Sequence, residues 1–314
     1  MLSSQAYKFD ISQVLDLGES VSSAAEIFPP EGPAKAALFC FPGGACTREY
    51  FDLSFCDAKC VENTSYSFAR SMAQRGYLVI TIDHLGVGES TRPQDGFLLT
   101  PERVVQANEI VVERLIEMEQ YRQYANSALP KVAVGHSLGA LLAICQQAWH
   151  QSFDGLAMLG FGHGGVPEFL CELGKDIAEH PTSAMSRAVE LAKAQFGQPY
   201  LAMGSPDADE LEKRNAEAGL VEAVRRKSCD LIAVLGALTL VPNVVWEISR
   251  EVTVPSFAAM GDRDICGDFT LQSELVAGPV TSVLLENTRH NHFMFPGRTP
   301  LYKALDQWIQ ESQL

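Results

Sequence analysis

The sequence predicts an α/β fold, a mostly parallel central sheet flanked by helices, on three observations. Short apolar, β-branched runs alternate with longer amphipathic ones, the pattern of parallel strands joined by crossover helices. The 314 residues are 46% hydrophobic, enough for a full core, and the length suits one large domain or a domain carrying an insertion. Between residues 162 and 252 the alternation stops, and a stretch rich in Ala, Glu, Lys and Leu without a strand signal is too long for a loop. That stretch reads as a helical insertion entered through the flexible Gly-rich residues 162–167 (GHGGVP).

The elements follow in order. Residues 36–41 (AALFCF) read as a buried strand broken by Pro42-Gly43-Gly44. Residues 65–75 (SYSFARSMAQR) read as a helix stopped by Gly76, and residues 77–82 (YLVITI) as the next strand. Thr100 caps a long helix with Pro101 in its first position and Val104, Ile110, Val111, Leu115 and Met118 on one face. Residues 131–134 (KVAV) form a short strand and 138–149 a helix; strands follow at 153–159, 254–260 and 281–285, then a helix from about Pro300 to the end. The longest apolar run, residues 231–246, is interrupted by Pro242 and Asn243 and falls short of the roughly 20 residues that span a bilayer. It reads as a buried or lid helix.

Charge and cysteines narrow the function classes. The net charge of −15, from 39 acidic and 24 basic residues, repels phosphate backbones and anionic lipid, so neither nucleic acid binding nor membrane insertion is expected. Residues 1–10 (MLSSQAYKFD) carry no basic n-region or apolar h-region, and the eight cysteines are scattered through a chain large enough to fold without staples. Reduced thiols in a cytoplasm fit both. Cys56 and Cys60 are spaced C-x3-C without a second Cys or His pair nearby, so no metal is expected. No cofactor is expected either: residues 83–90 (DHLGVGES) complete no G-x-G-x-x-G and no Lys follows.

Gly135-His136-Ser137-Leu138-Gly139 is a G-x-S-x-G directly after the KVAV strand and directly before a helix. A serine at such a turn is held in strained φ/ψ, glycines two residues either side let the backbone pass, and the helix N-terminus favours a developing oxyanion. On this motif and its setting the chain resembles the α/β-hydrolase superfamily, as a capped serine esterase- or lactonase-like member. The resemblance implies a core of residues 1–162 and 253–314 with a helical cap, 163–252, inserted after the sixth core strand. It implies an acid in the turn after the strand that follows the cap. Asp264 of residues 259–264 (AMGDRD) matches, with Asp262 and Asp268 as rivals, while residues 159–165 offer no carboxylate. The base is implied after the last strand. His292, followed by Phe293, fits the family's preference for His before an apolar residue, and His290 is the alternative. The order Ser…Asp…His is that of the fold. The oxyanion donors are implied at Leu138 and in residues 41–45 (FPGGA), at Gly44, with Ala45 or Gly43 next; the family's usual His is absent from this loop. Residues 83–90 resemble the family's D-x-x-G-x-G-x-S loop and are given a structural role. His84, His150, His163 and His180 read as structural or exposed, with His163 at a position that can face the pocket.

Because the nucleophile is Ser and not Asp, the chemistry expected is acyl transfer to serine, not the alkyl-enzyme ester of dehalogenases and epoxide hydrolases. The expected substrate is a small to medium, partly apolar carboxylic ester or lactone. The apolar Leu231, Val234, Leu235, Leu238, Leu240, Val244, Val245 and Trp246 suit either a pocket wall or ordinary helix packing. An acyltransferase or perhydrolase using the same acyl-enzyme is the rival enzyme reading, and a non-catalytic binding protein is the rival of another class. The sequence leaves a homodimer open.

Overall fold

The apolar runs pair into one sheet because each is flanked by a helix that covers what it exposes. The computed structural model describes residues 3–314 except 16, 57–61, 125–128, 204–219, 221–222 and 225–226. Eight strands, β1 (Gln5–Asp10), β2 (Ser22–Phe28), β3 (Ala37–Phe41), β4 (Leu78–Ile82), β5 (Lys131–His136), β6 (Gly155–Leu159), β7 (Ser256–Gly261) and β8 (Val280–Leu285), lie in the order β1-β2-β4-β3-β5-β6-β7-β8. β1 pairs antiparallel with β2 and β2 antiparallel with β4, and every later pairing is parallel. The two antiparallel strands are the ones the sequence reading lacks: β1 alternates exposed and half-buried residues, and β2 begins with small residues, so neither carries an apolar run.

Side chains of the central strands alternate between two cores. Phe39, Phe41 and Ala133 pack with Val104, Val111, Leu141 and Leu142 of α2 (Pro101–Glu117) and α3 (Leu138–His150). Leu38, Cys40, Val132 and Val134 face the opposite side, where Phe68 and Met72 of α1 (Phe68–Gln74) join Leu301 and Leu305 of the C-terminal helix. Both faces are thus covered, as a parallel sheet requires. Thr100 takes the extended N-cap conformation before α2, but its hydroxyl makes no capping bond; Pro101 supplies the start signal instead.

Between β6 and β7 the chain forms α4 (Glu172–Glu179), α5 (Ala188–Phe196) and α6 (Ala233–Leu240), which share a small core of their own around Ile177, Leu191, Val234 and Leu238. In the apolar run 231–246 the helix ends at Leu240, and only Trp246 is helical again. The run's first two residues, Leu231–Ile232, pair antiparallel with Tyr200–Leu201, a ladder too short to leave an alternation in a stretch read as strand-free. The last helix, α7, is Arg298–Glu311. Among the described residues no helix is long and apolar enough to cross a membrane. Six cysteines, Cys40, Cys46, Cys145, Cys171, Cys229 and Cys266, are free. The expectation for the Cys56 and Cys60 thiols lies outside the described side chains.

Candidate active site

Ser137 stands between the end of β5 and the start of α3 with φ 53° and ψ −118°. For a residue with a Cβ this backbone costs roughly 1–3 kcal/mol. The surroundings enforce it: Ser137 N–H donates to the Leu159 carbonyl of β6 at 2.8 Å. A Cβ at Gly135 would lie 2.5 Å from the Ala140 backbone, and one at Gly139 would enter the Phe41 carbonyl. Leu138 opens α3, so its N–H has no intrahelical acceptor. Gly43 and Gly44, after β3, pack against the same turn; a Cβ at Gly43 would sit 3.3 Å from Ser137 Cβ, and one at Gly44 4.0 Å from Leu138 Cβ.

The loop that holds those glycines is braced by residues 83–90. The buried Asp83 carboxylate accepts from Arg48 N–H (2.6 Å), Glu89 N–H (3.0 Å) and the Arg48 guanidinium, which also reaches Glu89 (2.7 Å). His84 bonds the Pro42 carbonyl (3.1 Å) and Asn108. The structural role read for this motif is what the geometry gives, and the Arg48 ion pair is an addition that sequence spacing does not announce.

Ser137 Oγ lies 2.8 Å from Nε2 of His290, and His290 Nδ1 donates to Asp264 Oδ1 at 2.7 Å. The carboxylate fixes the tautomer, leaving the Nε2 lone pair facing the serine hydroxyl. His292, read from the sequence as the base, does not approach the serine. Its Nε2 donates to the other oxygen of the same carboxylate, Asp264 Oδ2, at 3.0 Å. The reason is local packing. His292 opens a one-turn 3₁₀ helix, His292–Met294, whose Phe293 drops into an aromatic cluster with Tyr50, Phe51, Phe68 and Tyr302. The apolar neighbour that seemed to mark the base instead pulls His292 into the core, where it is 0% exposed, whereas the His290 side chain keeps 23%. Asp262 and Asp268 are likewise elsewhere: Asp262 accepts from Thr288 N–H, and Asp268 caps the turn at Thr270.

Burial alone would raise the Asp264 carboxyl, but hydrogen bonds from His290 and His292 outweigh it and hold the group well below the usual carboxylate range. Burial pushes His292 below its ordinary 6.5, and His136 further below, with the charges of His290 and His292 adding to the effect there. Neutral His136 donates from Nε2 to the His290 carbonyl at 2.8 Å, so the residue before Ser137 also pins the loop that carries His290.

A cavity of about 80 Å³ opens beside Ser137 and His290. Its wall includes Leu141, Phe161, Val166, Val241, Val244 and Ile265, with His163, Thr239 and Cys266 as the polar members. No carboxylate lines it among the described residues. His163 faces it as expected, its Nε2 donating to the Leu275 carbonyl. Cys266 was not singled out by the sequence, since its approach to His290 depends on the loop after β8.

Sheet order and nucleophile turn together define an α/β hydrolase. A family model described as serine aminopeptidase, S33, matches residues 62–278, and the chain belongs to that family. No curated protein sequence matches closely enough to count as a relative. Solved structures similar over nearly the full length include DcsB in complex with its substrate analogue (14% identity, 99% of each chain, TM-score 0.63). The α/β hydrolase GrgF from Penicillium sp. sh18 is 14% identical over 100% of each chain, with TM-score 0.62. Est1E from Butyrivibrio proteoclasticus, with ferulic acid bound, is 14% identical over 93% of this chain and 96% of that one, with TM-score 0.57. Such identities speak for the fold. Family and fold make the chain a hydrolase.

Proposed function

We propose that the protein is a serine esterase acting on carboxylic esters, lactones included, with a short apolar acyl group. The observation that carries the reading is the unbroken hydrogen-bonded series Ser137, His290, Asp264. In it His290 takes the proton of Ser137 as the hydroxyl attacks the carbonyl carbon, then delivers it to the leaving alkoxide. Asp264 orients the ring and stabilises the imidazolium, with His292 as the positioning residue behind it. The N–H groups of Leu138 and Gly44 receive the oxyanion. Water, activated by His290, then attacks the acyl-Ser137 ester and regenerates the serine.

The size of the acyl group follows from the cavity, whose 80 Å³ is well under the roughly 300–1,000 Å³ of sites that bury a drug-sized ligand. In this reading residues 163–252 form a cap, with His163, Gly165, Val166, Thr239, Val241 and Val244 as its share of the pocket wall. The family description suggests an aminopeptidase instead. A substrate α-ammonium group needs an acidic partner, and the described lining has none, which favours an uncharged acyl group. The test is turnover of p-nitrophenyl acetate and butyrate against aminoacyl p-nitroanilides. Ester cleavage that Ser137→Ala abolishes is the expected result; cleavage of the anilides alone overturns the substrate class, and no cleavage by the wild type overturns the reading.

A further inference from the structure

The geometry points to an inhibitory metal site inside the hydrolytic machinery, in which a thiophilic divalent cation, Zn²⁺ or Cd²⁺, is held by Cys266, His290 and Asp264. The ligand atoms of these three side chains all lie within 4.8 Å of one another. Cys266 Sγ is 3.5 Å from His290 Nδ1. A tetrahedral zinc with Zn–S of about 2.3 Å and Zn–N of about 2.1 Å needs that edge at roughly 3.6 Å, so sulfur and nitrogen already stand at coordinating separation. The Asp264 Oδ1 to His290 Nδ1 edge, 2.7 Å as a hydrogen bond, has to open to roughly 3.4 Å. The set joins a thiolate, an imidazole and a carboxylate, the donor mixture zinc accepts, and leaves one position for water. Cys266 and His290 both line the cavity, which is the path of entry. Outside this cluster the thiol donates to the Gly160 carbonyl, at 2.8 Å, a bond that a hydroxyl would make as well.

Occupation of this site stops the reaction by tautomer control. The metal takes the lone pair at Nδ1, so the neutral ring carries its proton on Nε2, facing Ser137 as a donor. A ring in that state has no lone pair left to receive the serine proton. The net proton change is release of the one on Cys266, since the ring stays neutral and Asp264 is already a carboxylate. Coordination rests on the cluster alone; the loss of turnover rests on His290 being the base.

The experiment therefore has two arms. Cd²⁺ is titrated into the intact wild type, Ser137→Ala and Cys266→Ser while the cadmium–thiolate absorption band is followed. ZnCl₂ is titrated into p-nitrophenyl acetate assays of the wild type and Cys266→Ser, each rate scaled to that variant's own metal-free rate. The expected result is one tight equivalent present in the wild type and Ser137→Ala and missing in Cys266→Ser, with zinc inhibition reversed by EDTA and weakened at least tenfold in Cys266→Ser. An equal number of equivalents in wild type and Cys266→Ser overturns the site, whatever the rates, and equal zinc sensitivity overturns its inhibitory role. Absent ester turnover with the cadmium difference intact would fault the esterase reading and leave the site standing.

Discussion

The same substitution should have opposite consequences two residues apart. In His290→Gln the side chain has no group basic enough to take the proton of Ser137, and catalysis falls back on the oxyanion donors and binding, a loss on the order of 10⁴-fold or more in kcat. In His292→Gln the amide nitrogen can reach where the imidazole Nε2 now donates to Asp264 Oδ2, 3.0 Å away, so activity should stay within a few fold. His292→Ala removes that donor from a buried carboxylate. A hydrogen bond to a charged group is worth about 1.5–3 kcal/mol, so its complete expression in the transition state costs roughly ten- to 150-fold in kcat. KM should change little in the two His292 variants, because His292 does not line the acyl pocket. The assay is kcat and KM on p-nitrophenyl acetate, with thermal unfolding to establish that each variant folds. Loss in His292→Gln equal to that in His290→Gln would refute the assignment and return the base to His292.

Three further outcomes follow from the same geometry. Gly43→Ala should cost on the order of 10² in kcat, since its Cβ would sit 2.7 Å from His136 Nδ1 and 3.2 Å from the His136 carbonyl and must push the donor loop off the serine. Gly44→Ala meets closely just the Leu231 Cδ1 methyl, at 2.8 Å, with Leu138 at ordinary contact distance, and should cost a few fold; the reverse ranking contradicts the placement of the loop. Val244→Ala should shift the kcat/KM ratio of hexanoate to acetate esters upward by about tenfold, the value of one or two methylenes in an apolar pocket. An unchanged ratio would mean that Val244 does not bound the acyl chain. Finally, His84, His136 and His292 are buried with their pKa pushed below 6.5, so the unfolded chain binds protons that the folded chain refuses. Stability is then full above pH 6.5 and declines below it, by roughly 1.4 kcal/mol per pH unit for each histidine still neutral in the fold. The depressed Asp264 carboxyl acts later, its contribution being lost only below its ordinary 3.8. A melting temperature flat between pH 6.5 and about 5 would contradict the neutral histidines.

The parallel strands and Ser137 were legible because their causes are local. An apolar run such as LFCF has few fates, and glycines around Ser137 answer to backbone contacts within the same turn. Asp264 was legible through its place after β7. The choice between His290 and His292 was not, because it depends on where Phe293 goes, and that is decided largely by Tyr50, Phe51 and Phe68 from distant parts of the chain, with Tyr302 of α7. The same holds for Arg48, which finds Asp83 across 35 residues, and for Cys266, which matters only once the loop after β8 folds over it. Strands β1 and β2 were missed for lack of an apolar run, their order being set by the pairing of β2 with β4 and of β1 with β2.

The central claim is that Ser137 is the nucleophile and is activated by His290. Fluorophosphonate labelling followed by peptide mass spectrometry tests it most directly. The account predicts a single adduct on the peptide containing Ser137 in the wild type, its formation slowed by orders of magnitude in His290→Gln and close to the wild-type rate in His292→Gln. An adduct on another residue, or labelling of Ser137 that proceeds equally fast without His290, would contradict it.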